Sequence, residues 1–363
     1  MKLSLNGRMP EWADRADRHP ATAFLDACLR GVGMVLFLDN PVTGLLILVG
    51  LLAASPWLCV ATFVGVGSAT LAARLLRLDE RTIRTGAYGF NGALVGAALG
   101  TFLLPPWSLA VFGCIVVAAA ATPIVMVAVS SVAGALLELP ALTFPFNYVA
   151  IPLLLATFSI AHIHHSPLLA IHAAQKIDPV LRATEGAAPH ANPGVLLGAL
   201  FRGVGQVFLA DDVISGILIV AGLCVASRIV ALFAVIGSAA GLLCGIALGG
   251  DGVAVYHGLW GYNSALSAAA VGGVFLVLGA RSTIYAVACA VATAVLYAAM
   301  AFVGSRFGVP ALTLPFCIAT SVFLLIPRAT DAFRAVPLAA VTTPEEHLRR
   351  IRSASGGPST PGR

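Results

Sequence analysis

Two threonines occupy matching positions in two copies of one motif, and their hydroxyls could bond to a small polar solute. Thr143 lies within Leu-Pro-Ala-Leu-Thr-Phe-Pro-Phe at 139–146, and Thr313 lies within Val-Pro-Ala-Leu-Thr-Leu-Pro-Phe at 309–316. A hydroxyl both donates and accepts a hydrogen bond, and neither motif contains an ionisable side chain that would hold ions instead. The competing interpretation is that each hydroxyl bonds to a carbonyl of its own helix.

A second motif, Gly-x-x-Gly-(aromatic)-Asn, occurs at 86–91 and again at 258–263. In each copy an aromatic residue precedes a leucine by one helical turn, so both fall on one face of a helix. Such rings could form flat walls against a planar solute, although aromatic residues in apolar helices ordinarily serve packing. The residues concerned are Phe90, Leu94, Tyr262 and Leu266. We expect Asn91 and Asn263 to bond to backbone groups that a helix break leaves free.

A third repeat, Arg-Gly-Val-Gly-x, differs between its copies at the last residue, which is Met34 in one and Gln206 in the other. An amide can donate and accept hydrogen bonds, whereas a thioether offers only a weak acceptor. The two copies therefore differ in the hydrogen bonds that this position can make.

The composition indicates what kind of protein carries these motifs. Hydrophobic residues make up 59% of the chain and charged residues only 10%, whereas a soluble domain has about 25% charged residues. The sequence therefore predicts an all-α, polytopic membrane protein. The net charge of +5 is modest, so nucleic acid is not an expected partner. The first twenty residues lack the apolar core of a cleavable signal peptide, and the scattered cysteines, with no CxxC pair, predict free thiols.

Several apolar segments are interrupted or short. A full membrane crossing needs about 20 apolar residues, but segments 42–53 and 213–224 offer twelve each. They must be half-helices, or join a neighbour through a bend at 39–41 or 211–212. A longer segment contains Pro123, where we expect a kink or break. Because broken backbone in a bilayer is tolerated only inside protein or along a wet cavity, a central pathway follows.

The arginines indicate how the two copies are oriented. Positive residues favour the cytoplasm, and four arginines precede the first glycine motif, whereas the matching loop at 249–253 has none. After the motif the asymmetry reverses, because only the second half has a basic residue, Arg281. The copies are therefore predicted to be inverted, with both termini cytoplasmic. The four arginines are Arg74, Arg77, Arg81 and Arg84.

These features divide the chain into five parts. We expect a cytoplasmic N-terminal segment at 1–20, a first membrane repeat at 21–160, a linker at 161–194, a second repeat at 195–327 and a cytoplasmic tail at 328–363. The tail is polar from Val336 onward and ends in Ser, Gly and Pro, so it is expected to be frayed.

The order, duplication and spacing of these motifs resemble the urea transporter family, the facilitative urea channels of bacteria and vertebrates. Asn-Pro-x-x-Gly at 40–44 and the tail motif at 336–346 also match, and the resemblance covers roughly residues 24–346. It implies an all-α fold of two inverted repeats, each with about five transmembrane helices and a re-entrant half-helix. It also implies homotrimers in the lipid of a plasma membrane, the inner membrane in bacteria. Each monomer would have its own pore, with no cofactor, metal or enzymatic activity.

The resemblance also implies roles for individual residues. Urea would pass down its gradient through a narrow slot whose hydrogen-bonding edge carries Thr143 and Thr313. The apolar walls and mouths of that slot would be formed by Phe37, Phe90, Leu94, Tyr262, Leu266, Met34, Gln206 and Val207. Gln206 matches a family position that is usually Gln or Glu, whereas Met34 departs from the family's usual Gln. Against the family pattern, this departure implies a weaker site at that end or a different small amide, unless backbone carbonyls compensate.

Other functions need other residues. A channel for ammonia or a short amide could use the same scaffold. An ion-coupled transporter usually needs an ionisable residue in mid-membrane. The acidic residues here mostly lie at segment ends, which argues against coupling. Asp211 and Asp212 are the pair that could serve it. A metal site is conceivable at the linker histidines, His162, His164, His165 and His172, although no carboxylate spacing supports it. Nothing indicates a catalytic constellation.

Overall fold

The computed structural model describes residues 5–161, 163–169 and 192–355, and they are predominantly helical. The first half contains helices Pro20–Met34, Pro41–Ala54, Pro56–Leu75, Glu80–Arg84, Phe90–Phe102, Leu109–Leu137 and Phe144–Thr157. The second half repeats them in order as Pro193–Gly205, Val213–Ala226, Arg228–Ala247, Gly252–Tyr256, Tyr262–Ala269, Ala280–Ser305 and Leu314–Leu325. The predicted all-α fold with an internal repeat is confirmed.

Shorter elements join or extend these helices. A 3-10 turn, Gln206–Phe208, ends the first helix of the second half, and a π-helical turn, Ala270–Val274, extends the helix that begins at Tyr262. Leu103–Leu104 pairs antiparallel with His164–His165 as a two-residue ribbon. The remaining elements are helices Pro10–Ala16 and Pro344–Ser355 near the termini and 3-10 turns Pro167–Leu169, Ile326–Arg328 and Leu338–Ala340.

The same type of capping residue begins corresponding helices in the two halves. A polar side chain at the N-cap accepts a hydrogen bond from an N–H that the first helical turn leaves free. Ser55 accepts from Leu58 N, and its counterpart Ser227 accepts from Val230 N. Asparagine and aspartate serve the same purpose at the other matched starts, Asn40 with Asp212 and Asp79 with Asp251. The sequence thus specifies the same helix boundaries twice.

Equivalent helices of the two halves pack against each other in opposite directions. Thr43, at the start of Pro41–Ala54, donates its hydroxyl to the Gly222 carbonyl at 2.7 Å, near the end of Val213–Ala226. Reciprocally, Gly50 packs against the backbone of Ser215, the counterpart of Thr43. Two equivalent helices that touch in this reciprocal, antiparallel way are related by a two-fold axis, which reverses the direction of helices that run across it. The predicted inversion of the halves is confirmed.

Four helices in the described residues are long and apolar enough to cross a membrane. They are Pro56–Leu75, Leu109–Leu137, Arg228–Ala247 and Ala280–Ser305. The pair Pro193–Phe208 and Val213–Ala226 would form a fifth span, bent by 73° at the break that the sequence predicted. Apolar helices of half length, such as Phe144–Thr157, supply the interrupted elements. The break predicted at Pro123 is absent, because Leu109–Leu137 runs through it as one helix and Thr122 donates to the Ala119 carbonyl that the proline leaves free.

The motif glycines allow the helices to approach closely. Gly86 has φ of 78° and Gly258 has φ of 77°, a left-handed conformation that favours glycine. A methyl group on Gly86 would collide with the backbone of Gly31, and one on Gly258 would collide with that of Gly203. The glycine motif is therefore pressed against the Arg-Gly-Val-Gly repeat in both halves.

The C-terminal tail is more ordered than the sequence suggested. Residues 344–355 form a helix, so the prediction of a frayed tail is wrong there. Glu345 accepts hydrogen bonds from Ser227 Oγ at 2.7 Å and Ile229 N at 3.0 Å, which fixes the tail helix to the start of Arg228–Ala247. The sequence did not indicate this contact, because it is made by a carboxylate and not by an apolar stripe.

Candidate functional site

The hydroxyls of Thr143 and Thr313 touch at the contact between the two halves. Their Oγ atoms are 2.6 Å apart, and each residue is only 2% exposed. Each threonine immediately precedes a half-helix, Phe144–Thr157 or Leu314–Leu325. The hydroxyls bond to each other rather than to their own helices, so the competing interpretation offered by the sequence is wrong. Because equivalent residues can touch only on the axis that relates them, the pair marks the two-fold axis.

Asn147 joins this pair, although sequence reasoning did not select it as a site residue. Its Nδ2 donates to Thr313 Oγ1 at 2.9 Å and to the Thr143 carbonyl at 2.8 Å. The counterpart of Asn147 is Cys317, whose sulfur lies 3.1 Å from Thr143 Oγ1. The signal in the sequence was the last residue of the motif, where Pro-Phe-Asn in the first half becomes Pro-Phe-Cys in the second.

The amide oxygen of Asn147 is a buried acceptor that no described residue satisfies. Its Nδ2 must face the Thr143 carbonyl, because a carbonyl can only accept, and this fixes the orientation of the amide. An unsatisfied buried acceptor costs about 1–3 kcal/mol. The oxygen is therefore available to an N–H donor that enters beside the threonines.

Two asparagines hold the half-helices in place, as expected. Asn91 Oδ1 accepts from Phe146 N at 3.0 Å, and Asn263 Oδ1 accepts from Phe316 N at 3.2 Å. Each bond satisfies an N–H in the first turn of a half-helix, where no intrahelical partner exists. The glycine motif of each half thereby fixes the threonine motif of the same half.

The two halves differ in how they use the carbonyl just before each threonine. Leu312 O accepts from Tyr262 Oη at 2.6 Å and from Asn263 Nδ2 at 3.0 Å. Phe90, the counterpart of Tyr262, has no hydroxyl, and within the described residues we find no hydrogen bond to the Leu142 carbonyl. One carbonyl is therefore occupied by protein, whereas its counterpart is free to accept a bond from a solute.

The backbone at these carbonyls is strained in both halves. Leu142 has φ of 47° and Leu312 has φ of 46°, a region in which a leucine costs of order 1–3 kcal/mol. Such a conformation persists only where the surrounding structure enforces it. Here the conformation is enforced by the proline of each threonine motif and by the asparagine of the glycine motif, Asn91 or Asn263, because these residues fix the half-helix that follows.

The aromatic and aliphatic candidates lie around this centre. Phe90 and Tyr262 are each 8% exposed, whereas Leu94 and Leu266 are completely buried. The Tyr262 ring meets Tyr297 edge-on, with ring centroids 5.8 Å apart. The Tyr262 hydroxyl also donates the bond to the Leu312 carbonyl, a contact that the sequence did not indicate.

Phe37 brings the first half into contact with the second. Its ring lies 5.6 Å from that of Phe275 and 6.2 Å from that of Phe316, measured between centroids. Phe316 directly follows the proline of the second threonine motif. Phe37 therefore lies next to the half-helix that begins at Leu314, and its role as a wall residue stays a prediction.

Met34 and Gln206 lie at the ends of corresponding helices of the two halves. Gln206 is partly exposed, and its Nε2 donates to the His257 carbonyl at 3.0 Å. Met34 is likewise partly exposed and packs against the apolar core. Val207, beside Gln206, is 1% exposed. The two ends therefore differ, because one carries an amide and the other a thioether.

The acidic residues beside these ends have structural partners. Asp39 binds Arg30 at 2.6 Å, and its counterpart Asp211 lies 3.4 Å from Arg202 and also contacts His257 Nδ1. Asp212 caps the helix that follows it through Ser215 N at 2.7 Å. Asp211 therefore stabilises the bend between the two helices, and Asp212 stabilises the start of the second one.

The linker histidines form no metal cluster in the part of the chain that the structure describes. His165 Nε2 lies 2.8 Å from Thr157 Oγ1, and its ring stacks on Phe158. His162 and His172 lie outside the described residues.

Comparison with known proteins agrees with this architecture. The family model described as urea transporter matches residues 25–328. Urea transporter 1 of Capra hircus is 35% identical over 353 residues, which cover 94% of this chain and 88% of that protein. Urea transporter 1 of Mus musculus is 33% identical over the same shares. The matched residues span both halves, and the chain therefore belongs to the urea transporter family.

Proposed function

We propose that urea crosses the membrane passively through a narrow slot that runs beside the paired hydroxyls of Thr143 and Thr313. The observation that carries this proposal is their direct contact on the two-fold axis, in a protein of the urea transporter family. Because the hydroxyls bond to each other, the solute passes along the pair rather than between them. The pair forms one polar edge of the slot.

The polar edge offers urea replacements for its hydration. Urea has one carbonyl acceptor and two NH2 groups, and leaving a buried polar group unpaired costs about 1–3 kcal/mol. Thr313 Oγ1 already accepts a bond from Asn147. When Thr143 also donates to it, the Thr313 hydrogen is free to reach the urea carbonyl. The Leu142 carbonyl and Asn147 Oδ1 can then accept from the urea N–H groups.

The apolar walls favour a flat, neutral solute. Phe37, Phe90 and Tyr262, with Leu94 and Leu266 behind them, offer aromatic and aliphatic surface but no charge. A constriction of this kind admits a solute that sheds its water cheaply and rejects a hydrated ion, which cannot recover its solvation there. The ion-coupled alternative loses support because Asp211 and Asp212 are held by structural partners.

The ends of the slot are assigned to Gln206, with Val207 beside it, and to Met34. The Gln206 side-chain oxygen can accept from an arriving N–H while its Nε2 is held by the His257 carbonyl. Met34 offers sulfur alone. We infer that urea meets a stronger first contact at the Gln206 end than at the Met34 end.

We further propose that the chain forms homotrimers in the plasma membrane, the inner membrane of a bacterium, with both termini cytoplasmic and one pore in each subunit. The support is the family and the arginine-rich loop at Arg74–Arg84. Cross-linking in native membranes would report the subunit number, and protease access to the tail in right-side-out vesicles would report its side.

Stopped-flow light scattering on proteoliposomes tests the proposal. Thr143→Val and Thr313→Val should each slow urea permeation while leaving protein incorporation unchanged. Thr101→Val is the matched control, because the Thr101 hydroxyl bonds to Ala97 O of its own helix at 2.8 Å. Wild-type urea flux in both pathway variants would refute the assigned edge. Faster flux of ammonia or formamide than of urea would favour the short-amide or ammonia alternative.

A further inference from the structure

A large cleft lies where the N-terminal segment meets the C-terminal helix. Its volume is about 920 Å³. Its walls come from four stretches that are far apart in the chain, residues 6–13, 81–85, 224–228 and 342–350, together with Arg30 and Asp39. We call it the arginine cleft. None of the residues that line it belongs to the proposed slot.

Seven arginines and only four carboxylates line the arginine cleft. The arginines are Arg8, Arg30, Arg81, Arg84, Arg228, Arg349 and Arg350, and the carboxylates are Glu11, Asp39, Glu345 and Glu346. The arginines belong to four different helices and to the N-terminal segment that precedes Pro10–Ala16. The cleft is therefore a strongly basic cavity assembled by the fold rather than by one basic run of sequence.

Most of the carboxylates in the cleft are already engaged. Asp39 binds both Arg8 at 2.8 Å and Arg30 at 2.6 Å. Glu345 is held by the helix start at Ser227. Glu346 lies 3.2 Å from Arg350 and 3.7 Å from Arg349. Asp39 and Glu346 are thus paired with arginines, whereas Glu345 accepts only from uncharged donors and keeps its charge. The cleft as a whole still has three more arginines than carboxylates.

Two arginines of the cleft are left without an anion. Within the described residues, neither Arg81 nor Arg228 has a carboxylate in ion-pair range, and both are exposed. A third observation is independent of these. Arg30 has a side chain that is only 3% exposed, and its Nη2 is buried without a partner in the described chain.

Membrane topology explains some of this charge but not its arrangement. The tendency of arginines to remain cytoplasmic requires only that they lie in loops near the membrane. It does not require seven of them to converge on one cavity, nor one of them to be buried with an orphaned N–H. Both features are typical of a binding site for an anion, since a guanidinium presents a planar fork that matches phosphate oxygens.

We propose that the arginine cleft binds a phosphate-bearing anion. Arg81 and Arg228 bind its phosphate oxygens, and the ligand bridges the short helix Glu80–Arg84 to the start of Arg228–Ala247. Bound there, it stabilises the docking of the N-terminal segment and the C-terminal helix. The phosphate belongs either to an anionic lipid headgroup at this membrane face or to a soluble phosphorylated compound, and the two sources are separated by experiment.

The test uses the full chain in detergent and two probes. Isothermal titration calorimetry with inorganic pyrophosphate reports a soluble ligand, and native mass spectrometry of retained phosphatidylglycerol against phosphatidylcholine reports a lipid. The double variant Arg81→Gln/Arg228→Gln should weaken whichever probe binds by about tenfold or more, because it removes two charge-assisted contacts. Arg228→Lys keeps the positive charge but loses the planar guanidinium, so its affinity for the probe should lie between those of the wild type and the double variant.

Arg306→Gln is the matched control, since Arg306 is exposed but lies outside the cleft. The double variant must keep the wild-type elution volume and urea flux, which shows that it folds. Binding of pyrophosphate or selective retention of phosphatidylglycerol, lost in the double variant but kept in Arg306→Gln, supports the proposal. Equal binding by wild type and double variant, or an equal loss in Arg306→Gln, overturns it. Neither outcome depends on the urea pathway.

Discussion

Thr143 and Thr313, one from each inverted repeat, share a hydrogen bond of 2.6 Å between their hydroxyl oxygens. The bond joins two equivalent residues, so it lies on the axis of the duplication. The surroundings of the pair are nevertheless unequal, because Asn147 faces one hydroxyl and Cys317 faces the other. The polar edge of the proposed pathway is thus built from a symmetric pair and an asymmetric set of supports.

Replacement of Asn147 tests the asymmetric support. Asn147→Leu keeps the volume but removes the amide that donates to Thr313 and the oxygen that has no protein partner. One net hydrogen bond is worth about 1 kcal/mol, which corresponds to roughly five-fold slower urea permeation in proteoliposomes. Cys317→Ser, at the counterpart position, keeps a polar contact to Thr143 and should stay near wild type. Unchanged flux in Asn147→Leu would remove this residue from the pathway.

The hydroxyl of Tyr262 offers a second test, because exchanging it between the halves should produce opposite effects. Tyr262→Phe frees one bond to the Leu312 carbonyl, so urea flux should be kept or raised, with a stability loss of about 1 kcal/mol. Phe90→Tyr should slow urea by occupying the Leu142 carbonyl. Flux assays and thermal unfolding of the two variants are compared side by side. Effects of the same sign on flux would contradict the unequal roles assigned to the two carbonyls.

The thioether at position 34 provides a third test. Met34→Gln should raise urea flux or apparent affinity, because an amide supplies a donor and an acceptor that sulfur lacks. Gln206→Met is the matched control and should lower them. Concentration-dependent urea fluxes in both directions across oriented vesicles measure the effect. If neither variant differs from wild type, the two ends of the slot do not limit permeation.

The glycine motif predicts a large effect on stability. Gly86→Ala places a side chain at φ of 78° and against the backbone of Gly31. The conformation alone costs roughly 1–2 kcal/mol, and the overpacking costs typically about 1–3 kcal/mol more. Thermal unfolding in detergent should show a clear loss. Gly113→Ala, in a helix and with open space around it, should be neutral or slightly stabilising, and a similar loss there would point to a general effect of alanine.

The tail helix should loosen in acid. Burial lowers the pKa of His347 below its usual value near 6.5, and its Nε2 accepts a bond from Thr342 N at 2.9 Å, which requires that nitrogen to be unprotonated. A histidine with a depressed pKa contributes full stability above about pH 6.5, and that stability is lost as the pH falls through its folded-state pKa. After correction for the intrinsic, pH-dependent exchange rate, hydrogen exchange of residues 344–355 should be faster at pH 5.5 than at pH 7.5.

His347→Gln is the control for the pH experiment. It cannot acquire the proton, so the exchange rate of the tail helix, corrected for intrinsic chemistry, should lose its dependence on pH. An equal acceleration in the variant would place the acid sensitivity elsewhere.

The sequence determined features that depend on local chemistry and on duplication. The small number of charged residues indicated a membrane protein. Short apolar segments and capping residues determined where the helices begin and end. The repeated motifs indicated two equivalent halves. The unequal distribution of arginines indicated that the halves are inverted. The asparagines of the glycine motifs bond to backbone N–H groups as predicted, because the adjacent helix break determines which groups are free. The tail helix was missed because the residues that hold it, among them Glu345 and the buried His347, are polar and leave no apolar stripe in the sequence.

Only the tertiary structure decided which groups remain free to bind a solute. The sequence placed Thr143 and Thr313 in equivalent motifs, but their contact follows from the two-fold packing of helices such as Pro41–Ala54 and Val213–Ala226. The sequence could not show that Tyr262 occupies the Leu312 carbonyl, nor that Asn147 retains an unpaired oxygen. Residue type fixes which hydrogen bonds a group can make, whereas the bonds it still lacks depend on neighbours that only folding brings within 3 Å.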